Sequence, residues 1–153
     1  MTTRITFSEI PKGLMSSMIA TEGYLNQLDF DYKLLELIRV RVSYINQCAY
    51  CIDMHIKEAL AAGENIQRLY SVTDWKDTSY YTDLERACLA WAEYITQPNS
   101  AQDNEQSLFE ALLPFYDKPS IANLSFVVIQ INAWNRLMKS CAIEPGSYQV
   151  GQH

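Results

Sequence analysis

The sequence predicts an all-α fold, a compact bundle of about six or seven helices. Over most of the chain, apolar residues recur at intervals of three and four, which is the spacing of one face of an α-helix. No stretch alternates polar and apolar residues as a half-buried strand would, and no internal repeat or low-complexity tract is visible. Capping residues, Pro and Gly fall where the helical stretches end, so each helix can be delimited in order.

In the first half of the chain, the sequence pattern predicts an extended arm, then three helices and a short helical turn. In order, these segments are the arm at 1–13, helices at 14–28, about 31–45 and about 48–62, and a short helix or turn at 64–71. Asp29 or Asp31 can cap the second helix. Asn46 precedes the third helix as a favoured cap, and Gly63 suits the position after its end.

In the second half of the chain, the sequence pattern predicts three more helices, separated by non-helical segments. In order, these segments are a loop at 73–81, a helix from Thr82 to near Pro98, a helix at 103–113, a last helix from Pro119 to Lys139, and an irregular tail at 140–153. Thr82 and Glu85 form a capping box. The last helix is apolar nearly all round in its first half, which is typical of a helix central in the core or shared with another subunit.

Composition restricts the partners and the compartment. The chain has 153 residues, 48% hydrophobic and 20% charged, with a net charge of −6, so we expect one domain spanning 1–153. Because no basic block is present, neither nucleic acid nor an anionic membrane surface is an expected partner. No apolar run reaches the roughly 20 residues that span a bilayer, and the N-terminus lacks the apolar core of a signal peptide. We therefore expect a cytoplasmic protein.

Reactive side chains gather at one place in the sequence. Cys48, Cys51 and His55 stand at i, i+3 and i+7, and Glu36 lies upstream. On one helix these three would point within roughly 60° of each other. Cys48 would lie in the first turn, where free N–H groups and the macrodipole stabilise a thiolate. His55 could take or relay a proton, and Glu36 could orient it if helix packing brings the two together.

The other two cysteines lack partners at useful spacing. In a reducing cytosol a close C-x-x-C pair is typically catalytic or metal-binding rather than structural. Cys88 lies in an apolar helical pattern and is expected to be core. Cys141, just past the last helix, is expected to be a bystander.

With these residues the chain resembles the AhpD-like alkylhydroperoxidases of the carboxymuconolactone decarboxylase superfamily. The redox pattern of that family is a Glu, eleven intervening residues, then C-x-x-C-x-x-x-H, and Glu36, Cys48, Cys51 and His55 match every spacing. The stretch I-N-A-W-N-R-L at 131–137 resembles a C-terminal signature of many small members. The resemblance covers roughly residues 10–140.

The resemblance implies a function and a role for each site residue. It implies an all-helical protein that assembles as trimers or hexamers and reduces organic hydroperoxides. Cys51 would be the peroxidatic thiol, Cys48 the resolving thiol and proton donor, and Glu36 and His55 the proton relay. Helix-dipole reasoning instead favours Cys48 as the more acidic thiol, so the order of the two pKa values stays open. Decarboxylase members generally lack the Cys pair, which argues against that reaction.

The expected cycle needs a hydroperoxide and an external thiol or dithiol protein, but no cofactor and no metal. A sulfenic acid would condense with the neighbouring thiol to a disulfide, which the external thiol reduces. No nucleotide-binding motif is present, so direct use of NADPH is not expected. The main alternative is a thiol–disulfide oxidoreductase or redox sensor acting on a protein partner. A structural zinc site would need a fourth ligand besides Cys48, Cys51 and His55, and His153 is the only other His.

Several neighbouring residues have two interpretations. Glu36 could instead form a surface ion pair with Arg39 or Lys33. Tyr24, Tyr44 and Tyr50 could help to line the pocket, although packing roles are favoured. For Asn135 and Arg136 a structural role is favoured.

Overall fold

Helices account for every regular element in the described residues, which are 2–98 and 104–152 of a computed structural model. The α-helices are α1 Lys12–Leu25, α2 Tyr32–Ile45, α3 Ala49–Ala61, α4 Ile66–Tyr70, α5 Asp83–Thr96, α6 Glu105–Leu112 and α7 Lys118–Cys141, and a 3-10 segment, Ser71–Asp77, follows α4. The predicted all-α class is therefore confirmed. None of the helices in these ranges is long and apolar enough to cross a membrane.

Side-chain caps explain where the helices begin. The Asp31 carboxylate accepts a hydrogen bond from the Lys33 amide at the start of α2. Thr82 and Glu85 form the predicted capping box of α5. Asp117 caps α7, and Pro119 lies in its first turn, where a missing N–H costs nothing. These caps satisfy amide groups that the helices leave unpaired.

Several predicted segments differ from the structure. The first helix, expected at 14–28 after an arm at 1–13, is α1 at Lys12–Leu25. Residues 71–77, partly assigned to a loop, form the 3-10 segment, since Trp75 is buried and its indole donates a hydrogen bond to Glu93 on α5. The last helix continues past Lys139 to Cys141 and ends at Ala142, which has a left-handed conformation. Residue 103, the predicted start of the sixth helix, lies outside the described residues.

Helix α2 forms the centre of the bundle. One side of it packs into a core cluster with α5, α6 and α7, and the other side packs against α3, α4 and the 3-10 segment. Nine of its fourteen residues are buried, among them the charged Glu36 and Arg39. The apolar α7, expected to be central or shared, is buried on one side only and exposes Phe126 and Ile129 on the other. Because α2 has neighbours on both sides, its polar residues are enclosed with its apolar ones.

Candidate redox site

Cys48 and Cys51 are joined by a disulfide at the start of α3. Their Cα atoms are 5.3 Å apart, within the usual range for a disulfide. Cys48 is the N-cap residue of the helix, and Cys51 lies in the first turn. Both residues are buried, with 1% and 3% of their surface exposed. The pair that the sequence singled out is therefore within bonding reach, in an enclosed position.

A tight turn between α2 and α3 places Cys48 at the helix start. The Gln47 amide donates to the Tyr44 carbonyl and the Cys48 amide to the Ser43 carbonyl, each at 3.0 Å. This is the Schellman pattern that closes a helix C-terminus, and it requires the left-handed conformation of Gln47, with φ of 54°. The end of α2 thus fixes where α3 begins.

The expected role of Asn46 as a cap of α3 is wrong. Asn46 ends α2, and its side-chain amide donates to Asn132 at 2.8 Å and to Asn135 at 2.9 Å, both on α7. Asn135 is fully buried and also donates to the Ser43 hydroxyl. Its predicted structural role is confirmed, because these hydrogen bonds fasten the turn that carries Cys48 to α7.

Glu36 and His55 are in direct contact, which the sequence alone left open. The Nδ1 atom of His55 donates a hydrogen bond to Oε2 of Glu36 at 2.8 Å. Arg39 donates to the other carboxylate oxygen at 2.6 Å. Of the partners that the sequence allowed, Glu36 therefore has His55 and Arg39, and its ion pair with Arg39 is buried rather than on the surface. The contact fixes the His55 ring so that its second nitrogen is directed away from Glu36.

Two opposing effects act on the Glu36 carboxyl. Burial alone would raise its pKa, but the charges and hydrogen bonds of His55 and Arg39 outweigh burial and hold the pKa below its usual range. Glu36 is therefore ionised at neutral pH. The ionised carboxylate can therefore accept the Nδ1–H of His55 and orient the ring.

The network extends to residues that sequence reasoning missed. Arg39 also lies 3.5 Å from a carboxylate oxygen of Glu22 on α1. The other oxygen of Glu22 accepts a hydrogen bond from the indole of Trp134 on α7, at 2.7 Å. Trp134 lies within the I-N-A-W-N-R-L stretch at 131–137, so this motif could have indicated a role for it. Nothing in the sequence around Glu22 indicated this contact. Helices α1, α2, α3 and α7 are thus connected through one chain of polar contacts, buried at Glu36, Arg39 and His55 and partly exposed at Glu22 and Trp134.

A cavity of about 740 Å³ lies beside the disulfide. Its wall includes Cys48, Ala49, Tyr50, Met138 and Ile143, and does not include Cys51. Apolar side chains form much of the wall, and Arg4, Lys139 and Glu144 bring charges to it. A cavity of this size accommodates a small organic molecule.

The three tyrosines differ in their environment. Tyr50 lines the cavity, as one interpretation allowed. Tyr44 packs against the core cluster on the other side of α2. Tyr24 donates a hydrogen bond to Asn123 and packs against Phe126 on α7. For Tyr24 and Tyr44 the favoured packing role fits these contacts.

The remaining cysteines are both buried. Cys88 lies in the main core, where burial raises its pKa to about 12, so it stays a protonated thiol. Cys141 is the last residue of α7, not a residue beyond it, and it belongs to the apolar cluster that contains Cys48 and Cys51. Its predicted place just past the helix is therefore wrong, and its role as a bystander stays a prediction. In the described residues no group of three or more Cys, His, Asp or Glu is arranged to hold a metal ion, and His153 lies outside them.

Comparison with known proteins gives a consistent result. A family profile described as carboxymuconolactone decarboxylase matches residues 14–94. The uncharacterized protein YdfG from Bacillus subtilis (strain 168) is 35% identical over 137 residues, which cover 90% of this chain and 92% of YdfG.

Two solved structures share the fold. A protein of unknown function from Agrobacterium tumefaciens, a candidate AhpD antioxidant defence protein, has a TM-score of 0.88 at 27% identity, covering 96% of this chain and 100% of that one. The debrominase Bmp8, solved with 2,3,4-tribromopyrrole, has a TM-score of 0.77 at 15% identity, covering 88% of this chain and 72% of that one. At that identity the likeness to Bmp8 concerns the fold alone, and the fold by itself does not select the reaction.

Proposed function

The chain belongs to the carboxymuconolactone decarboxylase family, as one of its AhpD-like members, and on that premise we propose that it is a thiol-dependent peroxidase that reduces organic hydroperoxides. The observation that carries the proposal is the disulfide between Cys48 and Cys51, followed one helical turn later by a His55 bound to the buried Glu36. A dithiol supplies two electrons, and the Glu–His pair can move the proton that the reaction requires.

The proposed cycle begins with the thiolate of Cys51. It attacks the terminal peroxide oxygen, the O–O bond breaks, and the other oxygen leaves as an alcohol or water once it has received a proton. Cys51 is then a sulfenic acid, and the Cys48 sulfur displaces its hydroxyl as water to form the disulfide. With the Cα atoms 5.3 Å apart, this step needs no rearrangement of α3. Two equivalents of an external thiol, in a reducing cytoplasm, then restore the dithiol.

His55 and Glu36 serve as the proton relay in this cycle. His55 accepts the proton of the attacking thiol and passes it to the departing oxygen. Glu36 orients the ring through Nδ1 and balances the imidazolium charge that forms briefly. His55 and Arg39 together hold the pKa of Glu36 below its usual range, so the carboxylate stays ionised and retains its function as acceptor.

Rapid-quench mass spectrometry of the reduced protein tests the proposal. After one equivalent of an organic hydroperoxide, we expect the peptide that carries Cys48 and Cys51 to lose two hydrogens quickly, with a sulfenic acid trapped on Cys51. A pair that stays reduced for minutes, but exchanges readily with an added protein disulfide, would instead establish a thiol–disulfide oxidoreductase. The cavity beside Cys48 favours that second function, because its wall includes Cys48 but not Cys51, the expected peroxidatic residue.

We also propose that the protein is a homo-oligomer, with the trimer or hexamer as the expected form. Phe126 and Ile129 on α7 are 38% and 51% exposed, and Phe126 packs against Tyr24, which is 48% exposed, on α1. Phe126 and Ile129 are three residues apart and therefore adjacent on the helix surface. Three large apolar side chains together form a patch that a second copy could cover.

Light scattering after size exclusion tests this assembly. Ile129→Lys is expected to lower the molar mass of the particle toward that of one chain, because a charge would be buried in the interface. Ile66→Lys is the matched control, since Ile66 is similarly exposed, at 47%, but lies on α4. A wild-type protein with the mass of one chain would contradict the proposal, and an unchanged Ile129→Lys particle would place the interface elsewhere.

A further inference from the structure

The surroundings of Cys48 and Cys51 are not equivalent. Total exposure does not separate the residues, since both are almost fully buried. The cavity does separate them, because Cys48 is part of its wall and Cys51 is not. A molecule in the cavity is therefore in contact with Cys48 and not with Cys51.

The C-terminal segment covers α3 beyond the disulfide. The amide of Gly146 donates to Asp53 at 3.0 Å, and Lys57 donates to the carbonyl of Tyr148 at 3.1 Å. The hydroxyl of Tyr148 donates to Glu58, and its ring lies in the apolar cluster that also contains Cys51. Three residues of α3 thus hold this segment in place, and Cys51 is enclosed by packed side chains.

We infer that the reducing thiol occupies this cavity and attacks Sγ of Cys48, so that Cys51 is the leaving thiolate. The inference rests on the proposed function only in its second half, the reduction of the disulfide. The occupant is a low-molecular-weight aliphatic thiol, because the volume is that of a small-molecule site and apolar side chains such as Met138, Ile143 and Pro145 form much of the wall.

The chemistry of the step is balanced by the thiols alone. A thiolate of the reductant forms a bond to Sγ of Cys48, the bond between the two protein sulfurs breaks, and Cys51 leaves with the electron pair and takes up a proton. A second thiol then attacks the reductant sulfur of the mixed disulfide, which releases the oxidised reductant and leaves Cys48 as a thiol. Cys51 is a good leaving group because it lies in the first turn of α3, where free amide groups stabilise a thiolate.

The first test traps the mixed disulfide in reduced single-cysteine variants without any peroxide. Cys51→Ser and Cys48→Ser are each mixed with glutathione disulfide, and adduct formation on the peptide Val42–Lys57 is followed by mass spectrometry. The rate with iodoacetamide, a small reagent, corrects for the thiolate fraction of each variant. We expect the corrected rate to be at least about tenfold higher for Cys51→Ser, which retains Cys48. Equal rates, or a faster reaction at Cys51, would overturn the inference.

The second test narrows the cavity in the oxidised protein. Ala49 is exposed and lines the cavity, and Ala61 is an exposed alanine at the other end of the same helix. Ala49→Trp is expected to slow reduction by glutathione about tenfold, and reduction by the smaller 2-mercaptoethanol less, because the ring fills space that the thiol needs. Ala61→Trp should be reduced at the wild-type rate. If Ala49→Trp is also reduced at that rate by both thiols, the cavity is not the route.

The outcome of these tests is separable from that of the peroxidase assay. If the protein does not react with hydroperoxide but exchanges thiols at Cys48, the proposed peroxidase function is wrong and this inference is supported. If the protein consumes hydroperoxide but exchanges thiols at Cys51, the proposed function is supported and this inference is wrong.

Discussion

Cys51→Ser should lower hydroperoxide consumption to the rate that the external thiol reaches alone. A serine hydroxyl stays protonated at neutral pH and is a far weaker nucleophile than a thiolate, so no sulfenic acid can form. The measurement is loss of an organic hydroperoxide in the presence of excess thiol. Cys88→Ala is the matched control, because Cys88 is buried in the core with a pKa raised to about 12 and takes no part in the cycle.

A single-turnover experiment without thiol then separates the roles of the two cysteines. Cys48→Ser should still consume about one equivalent of hydroperoxide and accumulate a sulfenic acid on Cys51, because only the resolving thiol is missing. Cys51→Ser should consume none. If Cys51→Ser retains the single turnover and Cys48→Ser loses it, Cys48 is the peroxidatic residue, as its position at the N-cap of α3 alone would suggest.

The arrangement of the redox motif could be predicted from the sequence because it depends on the geometry of one helix only. Cys48, Cys51 and His55 are close together in sequence, so helical geometry sets their relation once the start of α3 is known. That start was placed one residue early, because Asn46 was expected to cap α3. Asn46 instead binds Asn132 and Asn135, and a contact with a helix more than eighty residues away leaves no mark on local sequence.

The helical periodicity of apolar residues could not predict that the charged residues of α2 are buried. Glu36 lies beside the apolar stripe of α2, which indicates a partly exposed residue on a helix with one buried side. α2 has packed neighbours on both sides, so Glu36 is only 1% exposed. The contact with His55 then depends on how α2 packs against α3. Glu22 and Trp134 escaped notice for the same reason, since they join the network only through tertiary contacts.

Glu36→Gln is expected to reduce both stability and activity. The amide keeps the volume of the side chain but removes the charge that neutralises Arg39, whose other carboxylate, Glu22, is 3.5 Å away. Removing one partner of a buried ion pair costs about 3–5 kcal/mol in the free energy of unfolding. Peroxide turnover should fall about 100-fold, because His55 loses the charge that supports proton transfer. Urea unfolding and the peroxidase assay measure the two effects on the same samples.

Two variants show whether the loss comes from the buried pair. Glu110→Gln removes an exposed carboxylate on α6 and should change the free energy of unfolding by less than about 0.5 kcal/mol. The double variant Glu36→Gln with Arg39→Met should be more stable than Glu36→Gln alone, since no unpaired charge remains buried. Additive losses in the double variant would show that Arg39 and Glu36 do not stabilise each other.

The pH dependence of stability gives an independent check on the same carboxylate. Because the pKa of Glu36 in the folded protein lies below its usual value of 4.5, the unfolded chain binds more protons as the pH falls. Its contribution to stability is present above that value and is lost on acidification toward the lower folded pKa. Wild-type free energy of unfolding should therefore decline in this acidic range, and Glu36→Gln should decline less steeply. Some slope must remain, since the partly buried Glu93 also has a lowered pKa. Equal slopes in the two proteins would mean that Glu36 is not held ionised by His55 and Arg39, and the relay would then lack its fixed charge.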